Sequence, residues 1–145
     1  MQSFVFKMGR SKKEKVDPVK IVPDGTRDPE LIGFIQGIMP GSIQEYRVAK
    51  ALDRLGIRYQ YQVEIGGGRT VRGGQIVDFV AYTYPLPTPI QIFGEYWHKS
   101  SILERFKDIE IKRYFNHQVA DTVALYSNLL DTAENTYNVV KEALQ

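Results

Sequence analysis

Two strand-like segments of this chain combine apolar sequence with side chains that can do chemistry. Residues 75–82 carry a single acid, Asp78, inside an apolar run, and residues 90–98 end in Trp97-His98. An ionised carboxylate in a buried strand is strongly destabilising unless a cation or hydrogen-bond donors meet it, so Asp78 is expected to have a specific role. Carboxylates bind hard cations and imidazole titrates near neutral pH. The two segments are therefore where a metal-dependent site is expected.

A helix precedes these strands. The spacing predicts it over residues 42–55, with Ser42 as N-cap, Glu45 completing a capping box and Gly56 ending the helix. Apolar residues recur every three positions and form the expected buried stripe, which consists of Ile43, Tyr46, Ala49, Leu52 and Leu55.

Three strands are predicted next. Residues 59–65 alternate bulky and polar side chains, and residues 75–83 and 89–94 are nearly continuously apolar, as in the centre of a covered sheet. The glycine-rich segment 66–74 between the first two is a hairpin tip whose Arg69 and Arg72 can contact a phosphate backbone. It lacks the GxGxxG and Walker patterns, so the alternative is a simple turn.

The second half of the chain predicts a helix over residues 101–116, a strand over 122–126, and a helix from Asp131 or Thr132 to Leu144. This order predicts an α/β sandwich with an antiparallel hairpin and a crossover helix that leads to a further strand. The apolar side chains expected to face inward are Ile102, Leu103, Phe106, Ile109 and Phe115 on the first of these helices, and Tyr137, Val140 and Leu144 on the second.

Composition describes one soluble globular domain. The 145 residues are 43% hydrophobic and 25% charged, and the absence of cysteine excludes disulfides and thiolate metal sites. No leader-like apolar region and no run of membrane-spanning length occurs, so a cytoplasmic location without a membrane partner is expected.

The first forty residues predict an extended arm, followed by a domain over residues 41–145. The arm is rich in proline and glycine, and its first twenty residues hold six basic side chains against two acidic ones. This charge can attract nucleic acid phosphates, and the alternative is a solvated tail that binds nothing. Residues 28–35 are expected to form a short helical turn, whose apolar side chains dock on the body of the domain or on a partner subunit.

The segments Val77-Asp78-Phe79 and Gly94-Glu95-Tyr96-Trp97-His98, together with the element order, carry a resemblance to a known superfamily. Over about residues 42–144 the chain resembles the PD-(D/E)XK nucleases, and within them the branch around the very short patch repair endonucleases. It is also similar to small phage-encoded proteins with a comparable block from Pro40 through His98. The resemblance implies a restriction-endonuclease-like α/β/α sandwich with a central mixed sheet.

The chemistry implied by the resemblance is Mg²⁺-assisted hydrolysis of DNA phosphodiesters. Asp78 matches the strand aspartate that binds the metal, Glu45 the first-helix glutamate that supports it, and His98 the histidine of acid–base chemistry. Glu95 is a further candidate carboxylate ligand. The basic residues expected to hold nucleic acid are Arg69, Arg72, Lys99, Lys112 and Arg113.

Each of these assignments has a purely structural alternative. Asp78 can be a buried acid satisfied by Arg47 or Arg113, and the capping box alone explains Glu45. The ring of His98 can simply pack beside its aromatic neighbours.

The chain also departs from the superfamily pattern. Gln91 and Phe93 occupy the positions at which the signature has an acid and a lysine. Glu95 can supply the carboxylate if the strand bends at Gly94, while Lys99, Lys112 or Arg113 can replace the lysine. The short patch repair branch also lacks the lysine, but it has a histidine where Phe93 stands.

These departures leave two further functions open. The first is a catalytically inactive nuclease-fold protein with an assembly role, for example in a virion, whose arm binds a neighbouring subunit. The second is a DNA-binding module without cleavage. A phage-encoded enzyme would act in the host cytoplasm.

Overall fold

The computed structural model describes residues 20–22, 30–68, 74–94 and 100–145. It is a mixed α/β structure with a four-stranded sheet and three helices. The strands are β1 (Lys20–Val22), β2 (Glu30–Ile32), β3 (Tyr59–Ile65), β4 (Gln75–Ala81), β5 (Thr88–Phe93) and β6 (Val123–Tyr126), and the helices are α1 (Ile43–Leu55), α2 (Ser100–Tyr114) and α3 (Ala133–Leu144).

The main sheet has the order β3-β4-β5-β6. Strands β3, β4 and β5 pair antiparallel, whereas β5 and β6 are parallel and are joined through α2. The predicted hairpin, crossover helix and final strand are therefore confirmed. Strands β1 and β2 form a separate antiparallel pair.

Helix α1 begins and ends as its sequence predicts. The Ser42 hydroxyl accepts a hydrogen bond from the Glu45 backbone N–H at 3.2 Å, and Gly56 adopts the left-handed conformation (φ 73°) that closes the last turn. Helix α3 starts in the same way, with the Thr132 hydroxyl accepting from Asn135 at 3.0 Å. Local capping interactions thus fix both ends of α1 and the start of α3.

The apolar side chains form two clusters. The first joins α1 and α3 to strands β3 to β6, and its fully buried members include Leu52, Phe79, Ile90 and Val140. The second joins Ile111 of α2 to the ends of β3 and β4. Helices α1 and α3 thus share one core, and α2 contributes to the other.

Of the side chains predicted to face inward on the helix over residues 101–116, Phe115 packs against the second cluster as expected, but the prediction is wrong for Phe106 and Ile109. Phe106 and Ile109 are 61% and 47% exposed, whereas Ile111 is fully buried. A polar contact explains why α2 presents a different face to the core. The Asp108 carboxylate accepts a hydrogen bond from the Thr122 backbone N–H at 2.9 Å, which turns the face of α2 that carries Asp108 toward the start of β6. The spacing of apolar residues along the helix gives no indication of such a hydrogen bond.

The helical turn predicted over residues 28–35 is also wrong, because Glu30–Ile32 forms strand β2; residues 28 and 29 lie outside the described residues. Ile35 is 2% exposed and packs in the first cluster, so this part of the predicted arm docks on the domain itself. Gln36 fixes it there: its side-chain amide donates to the Tyr59 carbonyl at 2.7 Å and accepts from the Tyr61 N–H at 3.0 Å. Among the described residues no helix has the length and apolarity needed to cross a bilayer.

The burial of Tyr59 predicts a loss of stability at alkaline pH. Burial, with the nearby charge of Asp53 adding to it, raises the pKa of the Tyr59 phenol above its ordinary value. The unfolded phenol ionises near pH 10 while the folded one stays protonated, so its contribution is complete below that pH. Above it, stability falls by about 1.4 kcal/mol per pH unit.

Tyr59→Phe is therefore expected to flatten the fall in Tm above about pH 10. Thermal melts across this range measure the slope. Tyr84→Phe is the matched control, since the Tyr84 side chain is 96% exposed. Equal slopes for the Tyr59 variant and the native protein would contradict the assignment.

Candidate functional site

The faces that strands β3 and β4 turn toward the two apolar clusters are exchanged at the position of Asp78. Side chains two residues apart in a strand normally share a face, yet Tyr61 packs in the first cluster and Val63 in the second. Phe79 and Val77 on β4 are divided in the same way. The reversal coincides with Gln62, whose φ of 56° is left-handed. Gln62 and Asp78 both lie at the gap in the β3–β4 register, between the pairs Tyr61–Phe79 and Val63–Val77.

Asp78 and Gln91 exchange side-chain hydrogen bonds with the backbone of each other's strand. The Gln91 amide accepts from the Asp78 N–H at 3.0 Å and donates to the Ile76 carbonyl at 3.3 Å. The Asp78 carboxylate accepts from the Ile92 N–H at 2.8 Å. The backbone pairing of β4 with β5 stops at Phe79. At Asp78 these side-chain hydrogen bonds replace the backbone hydrogen bonds between the two strands, which are held apart there.

Glu45 reaches from α1 toward the same region. Its carboxylate accepts a hydrogen bond from the Tyr61 hydroxyl and a longer one, 3.4 Å, from the Gly41 N–H. Only half of the predicted capping box is therefore present, because the side chain bonds Gly41 and Tyr61 rather than the N-cap N–H. Gly41 permits this approach, since an added Cβ would lie 3.2 Å from a Glu45 carboxylate oxygen.

The charges of both carboxylates affect the pKa of the Tyr61 hydroxyl. Burial is the main cause that raises the pKa of Tyr61, followed by its hydrogen bond to Glu45 and by the charges of Glu45 and Asp78. The hydrogen bond from Gly41 acts in the opposite direction. Glu45 and Asp78 therefore both act on one buried phenol that remains protonated at neutral pH.

No family model, curated protein or solved structure matches this chain. The site is consequently described by its own geometry.

Five of the predicted site residues lie outside the described residues: Glu95, His98, Lys99, Arg69 and Arg72. Of the predicted carboxylates, Glu45 accepts a hydrogen bond from Tyr61, and the charge of Asp78 also raises the Tyr61 pKa.

The two remaining basic candidates lie on α2. Lys112 pairs with Asp121 and, at 3.6 Å, with Asp108. The hydrogen bond to Asp121 is the largest cause that raises its pKa. Arg113 is exposed and lines a cleft of about 240 Å³ together with Glu110 and Tyr114. Of the two, Arg113 is the better placed to meet a phosphate.

The structure gives structural roles to two other residues. The ring of Phe93 packs against Tyr126 with centroids 5.8 Å apart, which accounts for an aromatic residue at this position. Arg47 is 2% exposed and donates to the Leu130 carbonyl at 2.6 Å. Burial lowers the pKa of Arg47, and the charge of Asp131 opposes that shift.

Sequence reasoning missed Tyr61 and the bonding role of Gln91. Tyr61 continues the bulky alternation of β3, so its pattern is that of an ordinary core residue. Gln91 is a polar residue in an apolar run, as Asp78 is, and that shared signal could have paired them.

The oxygen atoms at the site suit a hard divalent cation that keeps much of its water. Mg²⁺ is typically held by one or two carboxylates and by substrate phosphates, and Asp78 and Glu45 offer two. In the part of the chain that the structure describes, no group of three or more acids and histidines could enclose a metal ion. Asp78 and Glu45 alone would leave most coordination positions of such a cation to water and to a substrate phosphate.

Proposed function

We propose that this protein is a Mg²⁺-dependent endonuclease that hydrolyses DNA phosphodiesters. One observation carries the proposal: Glu45 of the first helix bonds the Tyr61 hydroxyl, and the charge of Asp78, 33 positions further along the sequence, also raises the pKa of that buried phenol. Asp78 itself lies where the backbone pairing of β4 with β5 stops.

Asp78 and Glu45 would hold the metal. A Mg²⁺ ion held by these two carboxylates would supply Lewis-acid chemistry, lowering the pKa of a bound water and offsetting negative charge on the phosphate. Asp78 remains oriented because the Ile92 N–H bonds one of its oxygens. Glu45 remains oriented through Tyr61 and Gly41. His98, Glu95 and the predicted phosphate contacts complete the proposal from the sequence alone.

The fold supports the proposal. Helix α1, the β3–β4 hairpin, β5, the α2 crossover and β6 follow in the order that a restriction-endonuclease-like sandwich has. Helices α1 and α3 pack in the first cluster and α2 packs in the second. This division is compatible with an α/β/α arrangement. Gln91 does not offer a free amide oxygen to a metal, because both ends of its amide bond the backbone of β4.

A plasmid nicking assay tests the function. The native protein is expected to relax supercoiled DNA with Mg²⁺ or Mn²⁺ and to be inactive with EDTA. Asp78→Ala is expected to lower the rate by about a hundredfold or more, because one metal ligand is removed. Asp53→Asn, at an exposed acid of α1, is the control and should cleave normally. Equal nicking by the native protein and Asp78→Ala would remove the enzymatic function.

A second candidate function is a role in assembly. Ile38 and Met39, at the end of the predicted arm, are 41% and 40% exposed, and Phe106 and Ile109 are exposed on α2. Exposed apolar side chains are typical of surfaces that meet a partner. Absence of nicking, combined with self-association in light scattering that Ile38→Asp abolishes, would favour this function over the enzymatic one.

A further inference from the structure

We infer that Tyr61 is a positioning residue that holds the Glu45 carboxylate in place for the cation. The inference rests on the proposed function, because it assumes that Glu45 and Asp78 share that cation. It adds a residue that the sequence pattern assigns to the core.

The hydrogen bonds of Tyr61 support a role beyond packing. Its side chain is 2% exposed, yet the hydroxyl has three polar neighbours: it donates to Glu45 and receives hydrogen bonds from the Gly41 N–H and the Gln62 amide, each at 3.2 Å. A phenol hydroxyl has one proton to donate. That proton goes to Glu45, and both donors facing the hydroxyl reinforce this direction.

The position of the Tyr61 ring is fixed from behind. The ring lies against Phe79 with centroids 5.0 Å apart, and Phe79 is fully buried in the first cluster. Phe79 directly follows Asp78 in β4. The core that anchors the ring of Tyr61 therefore also anchors the strand that carries Asp78.

Glu45 depends on this support because little else orients its side chain. Its other described bond, from the Gly41 N–H, is long at 3.4 Å. A glutamate has three side-chain torsions, and an unsupported one loses conformational freedom when it binds a metal. Residues that hydrogen-bond a metal ligand typically change metal affinity by 10- to 100-fold when they are replaced.

Calorimetric titration of the full chain with Mn²⁺, without DNA, tests the inference. Tyr61→Phe is expected to raise the Kd for Mn²⁺ by about 10- to 100-fold. Tyr59→Phe is the matched control, because Tyr59 also contacts Phe79 but lies two residues away on β3. It should leave the Kd within about twofold of the native value, an allowance well below the effect expected for an orienting residue.

A double-mutant cycle separates positioning from a general structural role. In the Glu45→Gln background, Tyr61→Phe is expected to change the Kd for Mn²⁺ by no more than about twofold, because the ligand through which it acts is already altered. An equal effect of Tyr61→Phe in both backgrounds would overturn the inference, as would a native Kd in Tyr61→Phe itself. Thermal melts of each variant confirm that it is folded.

The Mn²⁺ titration distinguishes the loss of the metal site, and with it the proposed function, from the loss of the role of Tyr61 alone. If the native protein binds no Mn²⁺, the metal site and the role of Tyr61 are both overturned. If the native protein binds Mn²⁺ and Tyr61→Phe binds it equally, only the role of Tyr61 is overturned.

Discussion

Gln91→Leu is expected to lower the free energy of unfolding by about 2–4 kcal/mol. Gln91 is 5% exposed, and its amide is the described partner of the Asp78 N–H and the Ile76 carbonyl. Leucine has a similar size but bonds neither group. A buried backbone group that loses its partner is destabilising by about 1–3 kcal/mol, and both of these groups are partly buried. Urea denaturation measures the change.

Two further variants make this test specific. Gln118 is exposed, and Gln118→Leu is expected to change stability by less than about 0.5 kcal/mol. Gln91→Glu, which supplies the acid of the nuclease signature, keeps an acceptor for the Asp78 N–H but loses the donor to Ile76 and adds a charge beside Asp78. We expect it to be destabilising at neutral pH. A Gln91→Leu variant as stable as the native protein would show that the strands close without the amide.

Phe79→Ala is expected to lower the free energy of unfolding by about 3–5 kcal/mol. Phe79 is fully buried and contacts both strand tyrosines, Tyr59 edge-on at 5.5 Å and Tyr61 at 5.0 Å between ring centroids. Its removal leaves a cavity beneath both rings. We also expect weaker Mn²⁺ binding, because the support of Tyr61 is lost.

Phe106→Ala is the matched control for this change. The Phe106 side chain is 61% exposed, so its truncation is expected to alter stability by less than about 0.5 kcal/mol. Phe79→Leu retains most of the volume and should lie between the two. Equal losses for Phe79→Ala and Phe106→Ala in urea denaturation would contradict the burial that the structure assigns to them.

Sequence predicted the elements well where their ends depend on local chemistry. Ser42, Gly56 and Thr132 cap helices through bonds to near neighbours, so their types suffice to locate the helix ends. Strands β3, β4 and β5 were predicted within two residues of their observed bounds, because β-branched and aromatic residues dominate them.

The missed features depend on contacts between distant parts of the chain. The orientation of α2 follows from the bond of Asp108 to Thr122, and the docking of Gln36 follows from the free edge of β3. The reversal at Gln62 breaks the period of two on which strand predictions depend. The sequence identifies Asp78 and Glu45 as candidates, but it gives no local signal for Tyr61, the hydrogen-bond partner of Glu45.

The contact of α1 with α3 has a consequence for synthesis on the ribosome. The Arg54 guanidinium of α1 lies 3.7 Å from the centre of the Tyr137 ring and bonds Glu134, which is 80 residues further along the chain. Domains begin to form from their N-terminal side as the chain emerges, but α1 has no α3 to pack against at that stage. The nascent protein therefore carries α1, and Glu45 on it, without one of its packing partners until Val140 of α3 has left the exit tunnel.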